Sequence, residues 1–208
     1  MKYYPAFLDL KNQKVVVVGG GKVAERKTRS LIKAGASVRV ISPAITAGLE
    51  KLRKKRAILH TKRNYKKGDL KGAFLVIAGT SSSEINSQIA RDSGHLVNVV
   101  DSPSNGNFIV PSVVRREPLT IAVSTEGASP AASKTIRKEI ENRYGREFTR
   151  YLRFVERIRV KAMEKITDAG KRKKFLKSLA SQKVLDNFRD KGFSACAKEI
   201  LTSLEKQK

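Results

Sequence analysis

The sequence predicts an α/β protein, a doubly wound parallel sheet with a helical extension, and three observations predict it. An apolar run, Val15–Val18, leads through Gly19-Gly20-Gly21 into an amphipathic stretch from Lys22 to Ala34 and then a second β-rich run, Val38–Ile41. Strand-like and helix-like periods keep alternating to Val100, the pattern of a mainly parallel sheet covered on both faces. From Phe148 onward the helical period dominates, at Phe148, Leu152, Val155, Ile158, Ala162 and Ile166, and again from Phe193 to Leu204.

Each element follows from its residues. Gly35 stands where a left-handed helix C-cap is wanted, and Pro43 ends the second strand by removing a backbone donor. A helix is expected over Ala44–Arg56, a short strand over Ile58–Thr61, a buried strand over Ala73–Ala78, a helix over Glu84–Ser93 and a strand over Leu96–Val100. Right-handed crossovers make the doubly wound topology the economical one, and its ligand crevice lies at the carboxyl ends of the strands. Gly19–Gly21, Ser42, Gly79-Thr80 and Asp101 all fall there. Two β-rich runs, Phe108–Val114 and Leu119–Thr125, flank Arg115–Pro118 and read as a hairpin. Ser129-Pro130 then opens a helix that carries Ile136, Ile140 and Tyr144 up to Gly145. The expected segments are residues 1–112, 113–145 and 146–208.

Composition narrows the partners. Lys and Arg number 44 against 19 Asp and Glu, a formal +25 that favours nucleic acid, an acidic membrane surface or a polyanionic small molecule. Residues 141–208 hold 19 basic and 9 acidic residues, including the Lys171–Lys174 cluster, so the excess is spread along the chain. With no Trp and 6% aromatics there is no evident base-stacking platform, and nucleic acid is not the expected partner. The single Cys196 excludes an internal disulfide and a thiolate metal cluster, and fits a reducing compartment. No apolar run approaches the ~20 residues that span a bilayer, so a cytoplasmic protein without a membrane partner is expected. His60 and His95 have no metal-ligand spacing, and no metal site is expected. Nucleophile-elbow and P-loop patterns are absent, which sets acyl transfer and nucleotide hydrolysis aside.

Gly19-Gly20-Gly21-Lys22-Val23-Ala24 fits G-x-G-x-x-G/A directly after a strand and at a helix start, the context of a Rossmann-like domain. Gly19 permits the tight turn, Gly21 lets backbone approach a pyrophosphate, and Ala24 allows close helix–strand packing. The alternative is a glycine turn with no ligand. The acidic ribose ligand expected at the end of the second strand is replaced by Ser42, so these residues alone leave NAD and NADP open. Asp101 follows an apolar strand and precedes Ser102-Pro103. It has two readings, a general base over the crevice and an N-cap or Asx-turn aspartate.

Four motifs carry a resemblance: Gly-Gly-Gly-Lys-Val-Ala-Glu-Arg-Lys at 19–27, Asn-Val-Val-Asp-Ser-Pro at 98–103, Phe-Ile-Val-Pro-Ser at 108–112 and Ala-Val-Ser-Thr-Glu-Gly-Ala-Ser-Pro at 122–130. Over residues 3–145 the chain resembles the precorrin-2 dehydrogenase family, the dehydrogenase and ferrochelatase part of sirohaem synthases. The resemblance implies NAD-dependent oxidation of precorrin-2 to sirohydrochlorin by a homodimer whose hairpin and helix at 113–145 supply the subunit contact. It implies that Gly19, Gly21, Lys22, Val23 and Ala24 hold the cofactor, with Ser42 and Thr80 beside them, and that Asp101 is the acid–base residue. The family tolerates serine at the position of Ser42, which tilts the cofactor to NAD. A polycarboxylate tetrapyrrole also suits a basic chain.

Some relatives insert Fe²⁺ with the same aspartate and others leave that step to a separate chelatase; both stay open. Thr125 matches a serine that is phosphorylated in some members, and its role stays open too. The residues after the similarity are too few for a methyltransferase domain, so methylation is expected elsewhere. The rival readings are a dinucleotide-sensing regulatory module and a nucleic-acid-binding protein.

Overall fold

Four successive β-branched valines favour a strand covered on both sides, and β1 (Lys14–Val18) is such a strand, with Val15 to Val18 at most 1% exposed. The computed structural model describes residues 2–100 and 102–206. It divides into two compact units, residues 1–110 and 111–208.

In the first unit β1 pairs in parallel with β2 (Ser37–Ile41) on one side and β4 (Leu75–Ala78) on the other. β3 (Leu59–Thr61) and β5 (Leu96–Val99) form the edges, giving the order β3-β2-β1-β4-β5. The expected Rossmann-like α/β architecture is therefore present, with its switch point between β1 and β4. Strand alternation sorts the core into two layers. Val15, Val17, Val38, Val40, Leu75 and Ile77 pack with Ala24 of α1 (Lys22–Lys33) and Leu49 of α2 (Ala47–Lys54). Val16, Val18, Val76, Ala78, Val97 and Val99 pack with Ile89 of α3 (Ser83–Asp92).

Local chemistry sets the ends. Gly35 takes φ +81 just past α1, as a left-handed cap requires. The α2 helix is shorter than the expected 44–56 because the Thr46 hydroxyl accepts from Leu49 N and starts the helix three residues late.

In the second unit β6 (Ser112–Arg116) and β7 (Leu119–Val123) form the hairpin, in antiparallel register from Ser112↔Val123 to Arg116↔Leu119. The strand starts at Ser112 rather than Phe108, and Arg115 and Arg116 lie in it rather than in the turn. Residues 107 and 108 are engaged elsewhere: Asn107 N donates to the Val97 carbonyl and Asn98 Nδ2 to the Phe108 carbonyl, tying this segment to β5, while Pro111 has no N–H for a ladder. Ser129 caps α4 (Pro130–Arg143) by accepting from Ala132 N. Three further helices, α5 (Arg146–Lys165), α6 (Ala169–Ser178) and α7 (Gln182–Glu205), close on a core that includes Tyr151, Phe154, Ile158, Phe175 and Ile200. The last helix begins 11 residues before the expected Phe193 because Ser181 caps it, and Gly192, at φ 78, breaks it in two. Among the described residues no helix is long and apolar enough to cross a membrane.

Candidate functional site

The glycine bend is shaped by what lies against it. Gly19 ends β1 with φ +120, its amide bonded to the Ile41 carbonyl, and a Cβ there would run into the Gly79 carbonyl. Gly79 N in turn donates to the Val18 carbonyl, so the turns after β1 and β4 are locked together at the switch point. Gly20, which the motif leaves unassigned, is equally constrained: a Cβ would collide with the Ala44 carbonyl and crowd Ser42 Oγ, and the Gly20 carbonyl accepts from Thr46 N. The run of three glycines was the available signal, but only the fold shows the partner.

Gly21 differs from both. Its φ is −79, a conformation open to any residue, and a Cβ would meet nothing within 4 Å. The protein itself does not require glycine here, whereas a ligand against this backbone would. No side chain caps α1, and its first intrahelical bond runs from Glu25 N to the Gly21 carbonyl. The amides of Lys22, Val23 and Ala24 thus head the helix, where the dipole favours an anion. Lys22 is exposed, Val23 half-buried and Ala24 wholly buried against the sheet. This cradle fits a dinucleotide pyrophosphate.

Ser42, 8% exposed, lies at the end of β2. Its hydroxyl donates to the Ala44 carbonyl at 2.7 Å, and the Nε2–H of His60 donates to the Ser42 carbonyl at 2.9 Å. With its proton so committed, Ser42 Oγ can act toward a ribose hydroxyl only as an acceptor. Thr80 adjoins Gly19 but is held by Asn86 of α3. Asn86 Oδ1 accepts from Thr80 N at 3.0 Å and Oγ1 at 2.8 Å, and Nδ2 donates to the Thr80 carbonyl at 3.1 Å. Among these candidates the fold brings together Gly19 and Thr80, and Ser42 with the glycine bend. Asp101 lies outside the described residues.

The one acid in the first turn of α1 is already engaged. Glu25 accepts from Thr46 Oγ1 at 2.5 Å and from Arg29 at 2.7 Å, and the Thr46 bond first, then Arg29, holds its carboxyl below the usual glutamate range. A Cβ on Gly48 would strike this carboxylate, so Glu25 clasps α1 to the start of α2 and does not stand in for the missing ribose acid. A link between α1 and β5 is barely signalled in the sequence. Lys27 Nζ donates to Oδ1 of Asn98 at 2.9 Å, placing a cation of α1 beside β5. The polar interruption at Asn98 in an apolar strand was its only signal. Thr125 Oγ1 donates to the Ser129 carbonyl in the turn before α4. Among the described residues no group of three or more His, Cys, Asp or Glu side chains could hold a metal ion.

Comparison with known proteins agrees with this geometry. Residues 6–112 match the family model described as "Putative NAD(P)-binding", and residues 116–143 match "Sirohaem biosynthesis protein central". Siroheme synthase 1 of Aeromonas salmonicida is 33% identical over 207 residues, covering 98% of this chain and 44% of that protein. The siroheme synthase of Thioalkalivibrio sulfidiphilus is 37% identical over 204 residues, 97% of this chain and 42% of that protein. The chain thus spans less than half the length of these curated relatives. The solved structure of SirC, a precorrin-2 dehydrogenase, superposes with a TM-score of 0.83 at 26% identity, covering 98% of this chain and 100% of that one.

Proposed function

The chain belongs to the NAD(P)-binding family of sirohaem biosynthesis, in the branch that includes precorrin-2 dehydrogenases, and on that premise we propose that it oxidises precorrin-2 to sirohydrochlorin with NAD. The observation that carries the reading is the bend at the β1–β4 switch point, where a Cβ on Gly21 would meet only open space at the uncapped head of α1. When bound, NAD supplies the hydride acceptor of a two-electron oxidation. The chain's own task is to orient. Gly19, Gly21, Lys22, Val23 and Ala24 hold the pyrophosphate end, and Ser42 accepts from the ribose. Thr80, fixed by Asn86, shapes the wall. Asp101 is assigned the proton that leaves the macrocycle.

In this reading residues 1–112 bind the dinucleotide, residues 113–145 form the homodimer contact through the β6–β7 hairpin and α4, and residues 146–208 are a helical domain. The enzyme works in the cytoplasm on a polycarboxylate substrate drawn in by a basic surface.

The test is to generate precorrin-2 enzymatically under anaerobic conditions, supply NAD or NADP, and follow formation of reduced nicotinamide and of sirohydrochlorin. Reduction of NAD in step with product is expected. Stoichiometric NAD binding without turnover would replace the enzyme with a dinucleotide-sensing module. Adding Fe²⁺ afterwards and comparing with the non-enzymatic insertion rate decides whether the chelation step belongs to this chain.

A further inference from the structure

The tail carries a cationic cleft that the dinucleotide site does not use. Arg159 of α5 and Arg172, Lys173 and Lys177 of α6 surround about 440 Å³ of space whose apolar lining is Ala169 and Leu176. The five α6 residues are spaced i, i+3, i+4, i+7 and i+8 and so form one stripe. Such a stripe usually faces a core. Here Phe175 of α6 and Leu179 just after it are buried in the core, Leu176 packs partly against that core, and the rest of the stripe lines the cleft.

Its charges have no ion-pair partner among the described residues, and no acid lines the cleft. Asp168, just before α6, is spent capping the helix through Lys171 N. Lys173 and Lys177 stand four apart, an arrangement that weakens a helix unless an anion sits between them. Arg172 is positioned by donation to the Ile166 carbonyl at 2.9 Å, so one guanidinium is held in place before any ligand arrives.

We infer that this α5–α6 cleft binds a carboxylate-bearing edge of a tetrapyrrole, a site built wholly from the second unit and separate from the pyrophosphate cradle. Cationic walls over an apolar floor fit carboxylates spaced along an apolar ring edge better than a bare phosphate, which has no apolar part to bury. Naming a tetrapyrrole as the polycarboxylate rests on the proposed dehydrogenase function. The anion chemistry of the cleft does not. The cleft also gives a use to Arg172 and Lys173 of the Lys171–Lys174 cluster.

Uroporphyrin, a stable fluorescent tetrapyrrole polycarboxylate, serves as the probe, titrated into the full chain at about 0.15 M salt. The Arg159→Glu/Lys173→Glu variant is expected to bind about tenfold more weakly or worse. A charge-matched control on exposed residues of α2 and its C-cap, Lys51→Glu/Lys55→Glu, should change affinity less than about twofold, and Lys173→Arg should bind as the wild type does. Should the reversal on α6 disturb the fold, as read by circular dichroism, the neutral pair Lys173→Gln/Lys177→Gln carries the same comparison. Equal affinity in the cleft variant, an equal loss in the control, or displacement of uroporphyrin by equimolar pyrophosphate would each overturn the inference. Turnover of precorrin-2 by the wild type, measured separately, judges the dehydrogenase reading alone, so either can fail without the other.

Discussion

Two glycines of one motif are glycine for different reasons, and substitution separates them. At Gly19 the reason is internal: φ is +120 and a side chain would strike Gly79. Gly19→Ala is expected to cost about 2–4 kcal/mol, read as a fall in denaturation midpoint. At Gly21 the reason is external, since the backbone is unstrained and the space open. Gly21→Asp should therefore change stability by less than about 0.5 kcal/mol while weakening NAD about tenfold or more, because a carboxylate would face the pyrophosphate. Isothermal titration beside thermal melts reads both, and a destabilised Gly21→Asp with normal NAD affinity would contradict the division. Asp101→Ala should leave NAD affinity intact and lower turnover about 10²–10⁴-fold, the usual weight of a general base. An unchanged rate would remove it from the mechanism.

At the scale of elements, the turn after β4 depends on α3 through one buried side chain. Asn86, 7% exposed, meets the amide, hydroxyl and carbonyl of Thr80. Asn86→Ala would leave the Thr80 amide and carbonyl without this partner, while the hydroxyl keeps its bonds to Ser82, and should cost about 2–3 kcal/mol, with a weaker NAD complex as well, whereas Thr80→Ser should be nearly silent in both assays. This dependence shows where sequence reading stops. The unit from β1 through α1 to β2 was legible because period, glycines and caps all agree locally, and the cradle lay inside it. Long-range partners were not legible: Asn86 reads as an ordinary polar helix residue, Gly20 as motif filler, and Asn98 as a flaw in a strand. The start of β6 was missed for the same reason, since residues 107 and 108 look like strand by composition but are bonded to β5, a partner that local periodicity does not reveal. Likewise the first half of α7 lacks a clean apolar stripe, and its cap at Ser181 outweighs that weakness.

For the whole molecule, charge sets how stability responds to pH and to salt. Asp69, hydrogen-bonded by Arg63, and Glu25, Glu50 and Glu141, each bonded by a neighbouring hydroxyl or guanidinium, are all held below their ordinary values. A carboxyl depressed in the folded state adds stability above its unfolded pKa, and that stability is lost as pH falls through the folded value. Protonation also raises a net charge that already stands at +25, so both effects destabilise in the same direction and the midpoint should fall steeply below about pH 4. At neutral pH the ion pairs among the described residues are mostly between neighbours on one helix and partly exposed, so each adds little. Self-repulsion among the unpaired cations is the larger salt-sensitive term. Raising NaCl from about 0.02 to about 0.3 M should therefore raise the melting temperature at pH 7. The same screening weakens the attraction between a basic surface and a polycarboxylate, so kcat/KM for precorrin-2 should fall over that range. Opposite slopes for stability and turnover, measured by calorimetry and by NAD reduction, are the expected signature. A melting temperature that falls with salt would mean that the ion pairs outweigh the excess charge.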